Sequence, residues 1–483
     1  MHPNPLRWLL AAALCLPFIA VAAVPGDEAE GSPAFVDIAG ADVEGAVAVA
    51  VQPDGKILLA GGARVGDSVQ IAFARTLPDG TPDAGFADGG QRRVGFGGDT
   101  DSIASWIGVL PDGRIVIVGS VVDPDTATVS IVVIRLLANG EFDTTFSIDG
   151  RARFGEDIGA FCGFPFAFDS VTTSCGVALL PDGSVVLAGG ATQPEPAGAA
   201  KGLVGFGAGV LLYKIRPDAT PDPGFGVAGR RFYGHVPGHP DTVFYGLLTS
   251  LVRRDDGRLL LATGGIAAGS EQPTIALAQF RADAAPDTAF GDGGATLVPT
   301  EIGDAFIASG LRLTRTGRIM VGAVAILSGV RAFVAARFLA DGTPDASFGS
   351  GGVAGVSFDL SGNPDSDDTA AALHVDSAGR AYVIGHAEMP PFEGQVNYDV
   401  AIARFTPAGQ PDTAFAPGGK ATYGYDISAG GSPFVVLRER AADVAVDGQG
   451  RIVVVGSSEG PGDLDGMQLR TIYTDDLFRN TFE

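Results

Sequence analysis

Short apolar runs separated by glycine turns recur along the whole chain. Each repeat opens with two apolar runs joined by a tight turn, as at residues 47–51 and 57–60. The turn is Pro-Asp-Gly in several repeats, which favours a β-hairpin because proline presets φ and glycine accepts positive φ. A third run follows at residues 71–77, and a fourth lies near residues 93–96. The pattern predicts four short antiparallel strands per repeat and almost no helix.

The repeat occurs seven times, and its copies share a small set of side chains. A basic or amide residue lies in the third run, and in six copies an Asp follows eight residues later and a Phe eleven residues later. We predict that the basic residue and the Asp hold the turn between the third and fourth strands, and that the Phe packs between units. The hairpin glycines are Gly55, Gly113, Gly183, Gly257, Gly317, Gly379 and Gly450; the basic or amide residues are Arg75, Arg135, Lys214, Gln279, Arg337, Arg404 and Arg470; the Asp set is Asp83, Asp143, Asp222, Asp287, Asp345 and Asp412; and the Phe set is Phe86, Phe146, Phe225, Phe290, Phe348 and Phe415.

Seven such units predict an all-β fold, a seven-bladed β-propeller of four-stranded antiparallel blades. The seventh unit lacks a fourth strand of its own, whereas residues 33–40 resemble the fourth-strand segments 151–159 and 420–428. We therefore expect an N-terminal strand to close the last blade and remove an open edge. Six blades, eight blades and an open β-solenoid are the alternatives.

The first repeat resembles a known family. Residues 53–62 (Pro-Asp-Gly-Lys-Ile-Leu-Leu-Ala-Gly-Gly) and 73–86 (Phe-Ala-Arg-Thr-Leu-Pro-Asp-Gly-Thr-Pro-Asp-Ala-Gly-Phe) are similar to the delta-60 repeat of bacterial secreted proteins. The resemblance covers about residues 44–475, with drift at Gly317 and Gly450. It implies a β-propeller domain of unknown function and carries no catalytic residues with it.

The N-terminal segment has the features of a secretory signal peptide. Arg7 supplies a basic region, residues 9–21 are apolar, and Ala-Val-Ala at residues 20–22 forms a cleavage pattern. A membrane anchor is the alternative. We expect a secreted monomer, periplasmic, extracellular or at the cell surface, with no membrane insertion after cleavage. The expected organisation is a signal peptide at 1–23, a linker at 24–32, the propeller at 33–475 and a tail at 476–483 that resembles a short terminal motif of some secreted proteobacterial proteins.

The cysteine count indicates the cellular compartment, and the net charge limits the classes of binding partner. Cys162 and Cys175 are the two cysteines left after signal cleavage, and an even pair in an oxidising compartment predicts a disulfide. The 32 Lys and Arg residues against 56 Asp and Glu residues give a net charge of -24, which repels phosphate backbones. Nucleic acid is therefore excluded as a predicted partner.

Length differences between repeats fall in the connections that emerge on one face of the disc, which we call the variable face. The largest insertions precede, interrupt and follow the third unit, and another lies in the sixth. Aromatic side chains there could form a platform for a sugar ring or a protein partner, and a local core beneath a long loop is the alternative. The candidate ligand-binding residues are Phe161, Phe164, Phe166, Tyr233 and Tyr245.

Acidic pairs in variable-face loops form a second candidate site. Carboxylates at alternate positions in glycine-containing loops suit calcium, the one cofactor that the sequence could hold. The candidate ligands are Asp99, Asp101, Asp365 and Asp367. No pair is completed by the distal Glu of a calcium loop, so plain hydrated loops are the alternative.

The leading hypothesis is a secreted, non-enzymatic β-propeller scaffold that binds a glycan or an extracellular protein through loops on the variable face. A polysaccharide lyase or hydrolase, with His, Tyr and acidic residues around the central channel, is one alternative. Passive surface display is another. No catalytic residue is assigned, because none of His235, His239, His374 and His386 lies in a paired catalytic motif.

Overall fold

The computed structural model describes most of the chain between residues 34 and 472. The described residues are 34–36, 38, 43–66, 68–97, 100–123, 128–162, 175–191, 209–270, 272–298, 305–327, 330–363, 366–392, 395–424, 426–429, 432–435, 438–448, 450–459 and 466–472.

Strands dominate the described residues, with two short 3₁₀ turns at Glu156–Ile158 and Pro417–Gly419. The N-terminal strand and the first two units contain β1 (Ala34–Val36), β2 (Val43–Val51), β3 (Ile57–Val65), β4 (Ser68–Thr76), β5 (Gln91–Val94), β6 (Asp101–Val109), β7 (Ile115–Asp123), β8 (Thr128–Leu136) and β9 (Arg151–Phe154). The third and fourth units contain β10 (Ala160–Phe161), β11 (Gly176–Leu179), β12 (Val185–Ala191), β13 (Val210–Ile215), β14 (Arg230–Tyr233), β15 (His235–Val236), β16 (His239–Arg253), β17 (Leu259–Ala267), β18 (Pro273–Phe280) and β19 (Ala295–Leu297). The remaining strands are β20 (Ala305–Leu313), β21 (Ile319–Leu327), β22 (Val330–Phe338), β23 (Val353–Val356), β24 (Thr369–Val375), β25 (Ala381–Phe392), β26 (Gln395–Phe405), β27 (Lys420–Tyr423), β28 (Asp426–Ala429), β29 (Ser432–Val435), β30 (Arg438–Val446), β31 (Ile452–Glu459) and β32 (Gly466–Ile472).

Each of the first five repeats folds into its own antiparallel blade, and strands follow chain order from the channel to the rim. The third and fourth blades gain a short extra strand, β10 and β15. The innermost strands are β2, β6, β11, β16, β20, β24 and β30, which together line a central channel. Four antiparallel strands per unit were predicted from the spacing of apolar runs and turns.

The number of blades was predicted wrongly. The described strands form six blade sheets and one separate two-stranded ribbon, β28 and β29, so the molecule is a six-bladed propeller. The sixth and seventh repeats share one eight-stranded sheet because Tyr398 of β26 pairs in parallel with Arg438 of β30. We call this sheet the composite blade. A repeat count cannot reveal such a bridge, since it depends on two backbones meeting in space.

The composite blade includes the N-terminal strand. β1 pairs with β32 in antiparallel register, with Ala34 opposite Leu469 and Val36 opposite Met467. The two ends of the propeller are therefore joined through backbone hydrogen bonds. This pairing covers β32, the last strand among the described residues, which would otherwise be an open edge.

The hydrophobic core lies in layers between neighbouring units. Phe86 of the first unit packs with Ile115 and Ile134 of the second. Val453 and Val455 of the seventh repeat pack with Leu59 of the first unit, so the same kind of layer closes the ring. The described residues contain no helix with the length and hydrophobicity of a membrane span.

The repeated Arg, Asp and Phe form one structural group, which we call the Arg-Asp-Phe joint. In the second unit Arg135 Nε donates to Asp143 Oδ2 at 2.7 Å, and its guanidinium carbon lies 4.8 Å from the Phe146 ring centroid. Arg135 Nη1 also donates to the carbonyl of Pro217 in the third unit at 2.7 Å. The predicted structural role is confirmed. Equivalent pairs are Arg75–Asp83 at 2.9 Å, Lys214–Asp222 at 2.7 Å, Gln279–Asp287 at 2.7 Å, Arg337–Asp345 at 2.8 Å and Arg404–Asp412 at 2.8 Å.

Replacing Arg135 by Met should destabilise the fold strongly. Arg135 and Asp143 side chains are each only 2% exposed, so the substitution leaves a buried carboxylate without its main partner. We expect the free energy of unfolding to fall by about 3 kcal/mol, the lower end for a broken buried pair, because Arg114 stays 3.3 Å from Asp143. Urea denaturation measures the change.

Arg281→Met is the matched control. The Arg281–Asp283 pair spans 3.5 Å and both side chains are more than half exposed, so its loss should cost less than about 1 kcal/mol. Equal losses for the two variants would show that the joint has no special energetic role.

Candidate functional site

Cationic and aromatic side chains alternate along the outer rim of the first two units. The guanidinium carbon of Arg92 lies 5.5 Å from the ring centroid of Phe142. Arg151 lies 5.6 Å from the centroids of both Phe142 and Phe96. Arg153 lies 5.2 Å from the centroid of Phe96. These five side chains form a continuous cation–π series, which we call the rim ladder.

Two units supply the rim ladder because their fourth strands are neighbours at the outer edge. Arg92 lies on β5 and Arg151 and Arg153 lie on β9, while Phe96 follows β5 where the chain crosses to the next unit. Arg151 Nη1 donates to Gly95 O at 3.0 Å, and Arg153 Nη2 donates to Phe96 O at 3.1 Å. Hydrogen bonds to backbone carbonyls thus fix both guanidinium groups over the turn that carries Phe96.

A groove of about 530 Å³ opens beside the rim ladder. We call it the rim groove, and its lining residues are Gly95, Phe96, Gly97, Asp149, Arg151, Ala152 and Arg153. Phe96 is half-buried, and the two glycines beside it are exposed. An aromatic ring flanked by two guanidinium groups in an open groove can stack on a flat ligand face and pair with an anionic group.

The arginines of the rim ladder differ in how they are neutralised. Arg92 forms two-point contacts with both Asp88 and Glu141, with closest distances of 2.8 Å to each. Hydrogen bonding to Arg92 holds the pKa of the Glu141 carboxyl below its usual range. Arg151 pairs with Asp149 at 2.7 Å. Arg153 forms no ion pair with any carboxylate in the described part of the chain. Its positive charge can therefore pair with an anionic group of a ligand.

The sequence analysis missed this site, although a signal was present. Six arginines lie on the fourth strands of the first three units, in a chain with a net charge of -24. The fourth strands β19 and β23 carry no basic residue, and β27 carries one lysine. Unlike the Arg of the joint, these arginines differ between units, as expected of residues that serve one site. They are Arg92, Arg93, Arg151, Arg153, Arg230 and Arg231.

The described aromatic candidates do not form a common platform. Phe161 is buried and packs with Val122 and Val129. Tyr233 packs on Phe280, and its hydroxyl donates to Ala284 O at 2.5 Å. Tyr245 is half-buried on β16. Phe164 and Phe166 lie outside the described residues, so their assignment stays a prediction.

The described acidic candidates are engaged with protein groups. Asp101 is buried, and its Oδ1 accepts the backbone N–H of Val69 at 2.8 Å. Asp367 pairs with Arg331 at 2.7 Å. Asp99 and Asp365 lie outside the described residues. Within the described ranges no three His, Cys, Asp or Glu side chains are grouped as metal ligands would be.

Cys162 and Cys175 form the predicted disulfide. They lie where the inner strand of the third unit is interrupted: β10 pairs with the end of β12, and β11 pairs with its beginning. Ser105 Oγ donates to Cys162 O at 2.7 Å, and Thr249 Oγ1 accepts the N–H of Gly176 at 2.9 Å. The disulfide therefore joins the two halves of one inner strand, and both neighbouring units hold it in place.

The histidines bear on the enzyme alternative. His374 lies 5.8 Å from the Tyr382 ring, and the Tyr382 hydroxyl lies 3.4 Å from both Asp376 and Arg404. Tyr382 is only 1% exposed, so this group belongs to the interior of the composite blade. His386 is also buried, at 3% exposure, with its ring against Tyr398. His374 itself is half-buried on β24, one of the strands that line the channel, whereas His386 is buried.

Three segments of the chain match a known family model. Residues 52–86, 110–146 and 315–348 match a family model described as "Domain of unknown function (DUF5122) beta-propeller". The chain thus resembles a propeller family of unknown function. The segments lie in the first, second and fifth units, and the delta-60 name stays a prediction. No curated protein matches the chain significantly.

Several solved structures resemble this chain at low sequence identity, with TM-scores below 0.5. The polysaccharide lyase Uly1 is 12% identical, with 94% of each chain covered and a TM-score of 0.45. The β-propeller domain of the Trilobed protease from Pyrococcus furiosus is 9% identical, covering 89% of this chain and 94% of that chain, with a TM-score of 0.39. An endo-arabinase from Bacteroides thetaiotaomicron VPI-5482 is 12% identical, covering 64% and 96%, with a TM-score of 0.31. These likenesses concern the fold alone.

Removing the disulfide should weaken the fold without abolishing it. The cysteines are 13 residues apart in sequence, and closing a loop of that length stabilises by about 2–3 kcal/mol in the chain-entropy view. We expect Cys162→Ser/Cys175→Ser to lose that much free energy of unfolding in urea denaturation. Reducing agent should weaken the wild type equally and leave the double variant unchanged. A loss in the variant with no effect of reductant on the wild type would contradict this account.

The buried histidines should make the fold sensitive to acid. Burial, and then the charge of Arg312, lowers the pKa of His374 to about 4, and burial, followed by the charges of Arg440 and Arg331, lowers the pKa of His386 to about 3. An unfolded histidine titrates near 6.5, so below that pH the unfolded chain binds more protons than the folded chain. The free energy of unfolding should then fall with pH from about 6.5 toward 4, by up to about 1.4 kcal/mol per pH unit for each histidine.

Urea denaturation between pH 7 and pH 4 tests the effect. In His374→Leu/His386→Leu the free energy of unfolding should fall less steeply between pH 6.5 and pH 4 than in the wild type. Above pH 6.5 the two histidines are neutral in the folded and unfolded chains, so they should contribute nothing to the slope of either protein. Parallel slopes across the acid range would refute the assignment.

Proposed function

We propose that this protein is an extracytoplasmic, non-enzymatic binding propeller that holds an acidic glycan in the rim groove. The observation that carries the proposal is the placement of Arg151 and Arg153 at 5.6 and 5.2 Å from the half-buried Phe96 ring, beside an open groove. Sugar rings present a flat apolar face to an aromatic ring, and their carboxylates pair with guanidinium groups. The groove combines both kinds of contact.

The charge distribution favours an acidic sugar over a neutral one. A net charge of -24 repels polyanions in general, so an anionic ligand needs a local cationic site. Arg153 offers that charge, because Asp149 already pairs with Arg151, while Asp88 and Glu141 pair with Arg92. Those three acidic residues also keep the neighbouring arginines oriented, so little side-chain freedom is lost when the ligand binds.

The extracytoplasmic location is supported by two features. Residues 1–23 have the pattern of a secretory signal peptide, and Cys162 and Cys175 form a disulfide. Extracellular and cell-surface polymers are often rich in uronic acids, whose carboxylates suit the rim groove.

Isothermal titration calorimetry with oligogalacturonate and with neutral cello-oligosaccharides tests this function. We expect binding of the acidic oligosaccharide alone, weakening as salt rises because the contact is solvent-exposed. Arg153→Gln should weaken binding about ten- to hundredfold, the range for a lost charge-assisted hydrogen bond, and Phe96→Ala should weaken it as well.

Arg231→Gln provides a matched control. Arg231 also lies on a fourth strand and its guanidinium carbon lies 5.5 Å from the Tyr233 ring, but it does not line the rim groove. Its substitution should leave binding unchanged. Equal binding of neutral and acidic oligosaccharides, or equal losses for Arg231→Gln and Arg153→Gln, would overturn the proposal. Binding of an acidic peptide in place of either sugar would assign the groove to a protein partner.

A further inference from the structure

The central channel contains a second cavity, separate from the rim groove. Its volume is about 190 Å³, below the roughly 300 Å³ at which sites for drug-sized ligands begin. Among the described residues that line it, Arg312 of β20 and Asp443 of β30 are the charged ones. The other lining side chains are uncharged: they are apolar, carry hydroxyl groups, or are the indole of Trp106 and the disulfide-bonded Cys175.

The two charges do not neutralise each other by contact. Arg312 forms no ion pair with any described carboxylate, and its Nη1 donates to the carbonyl of Leu311 at 2.9 Å. The remaining N–H groups of the guanidinium form no hydrogen bond within the described chain. Burial lowers the pKa of Arg312, with the charge of Asp443 acting in the opposite direction. Arg312 is thus a cation in a confined space with donors left to fill.

Asp443 is held firmly on the other side. Its Oδ2 accepts the N–H of Val49 at 3.0 Å, and its Oδ1 accepts the N–H of Val444 at 2.8 Å. The first of these bonds joins the seventh repeat to the first unit. The carboxylate therefore has a fixed orientation, and it retains lone pairs for a further donor.

Ser309 also borders the cavity, but its hydroxyl does not face the two charges. It lies eight residues before the hairpin glycine Gly317, and Ser105 and Thr249 have the same position in their units. Ser105 donates to Cys162 O at 2.7 Å and Thr249 to Ala188 O at 2.6 Å. Ser309 lines the cavity at 7% exposure, yet its hydroxyl has no hydrogen-bond partner in the described structure. The Ser309 Oγ lies against β21, where a Cβ added at Gly322 would be 3.3 Å away, so the hydroxyl faces the blade and not the cavity.

We propose that the channel cavity binds a small zwitterion of the amino-acid class, with its carboxylate on Arg312 and its ammonium group toward Asp443. A simple anion would pair with Arg312 but be repelled by Asp443. A simple cation would pair with Asp443 but be repelled by Arg312. A zwitterion complements both charges without changing the net charge of the cavity. The small volume restricts the ligand to short side chains.

Differential scanning fluorimetry and calorimetry on the mature protein test the site. The probes are glycine, L-alanine and L-serine at about 10 mM, with acetate and ethylammonium as the separate halves of the zwitterion. We expect at least one amino acid to raise the melting temperature in a concentration-dependent way, and both halves to leave it unchanged. Acetate binding as well as glycine would overturn the zwitterion assignment, and so would the absence of any shift with all three amino acids.

Variants separate ligand binding from folding. Ser309→Ala removes an unpartnered hydroxyl that faces β21, so the free protein should melt at the same or a higher temperature and keep its amino-acid affinity. Arg312→Gln should abolish the ligand-induced shift.

The control is Ser102→Ala, which removes a buried hydroxyl that accepts the N–H of Ile71 at 3.1 Å and does not line the cavity. It should melt at a lower temperature and keep the ligand-induced shift. Retention of full affinity in Arg312→Gln would place the ligand elsewhere.

Discussion

The Arg-Asp-Phe joint is the interaction on which the remaining structure depends. It fixes the turn between the third and fourth strands of a unit and, through the same guanidinium, contacts the next unit. In the fifth unit Arg337 pairs with Asp345 at 2.8 Å, lies 4.7 Å from the Phe348 centroid and donates to Pro407 O of the sixth unit at 2.5 Å. Burial raises the pKa of Asp345, but hydrogen bonds from Ser347 and the charge of Arg337 outweigh it, so the carboxylate stays ionised. One side chain thus connects local turn geometry to blade packing.

Units that lack the arginine show how strongly this link is required. In the fourth unit Gln279 replaces it, and Arg254 from the turn between β16 and β17 donates both to Gln279 Oε1 at 2.6 Å and to Ala340 O of the fifth unit at 2.9 Å. In the third unit Lys214 keeps the ion pair with Asp222, and Tyr233 supplies the contact to the fourth unit. In the fifth unit the turn residue Gly342 is equally constrained. It has φ +91°, and a Cβ added there would lie 2.6 Å from Phe290 of the fourth unit. Different residues thus complete the same joint.

Much of the fold was predictable because its determinants are local. Hairpin turns, the eight-residue spacing of Arg135 and Asp143, and the pair Cys162 and Cys175 can be recognised within short segments. The blade count was not predictable, since it depends on one parallel bridge between Tyr398 and Arg438. The rim groove was missed for a similar reason. Phe96 and Arg153 are 57 residues apart and meet only because two fourth strands become neighbours at the rim.

The same reasoning explains where binding chemistry lies in a repeat protein. Side chains that recur in most units are occupied by the joint, so they have little capacity left for a ligand. Arg153 and Arg312 are different: neither belongs to a joint, and neither forms an ion pair within the described chain. An arginine that the fold does not require, placed beside a groove or a cavity, costs desolvation or unfilled hydrogen bonds unless a ligand offsets it. The non-equivalent positions of a rigid ring are therefore where selection for binding can act without disturbing the contacts between units.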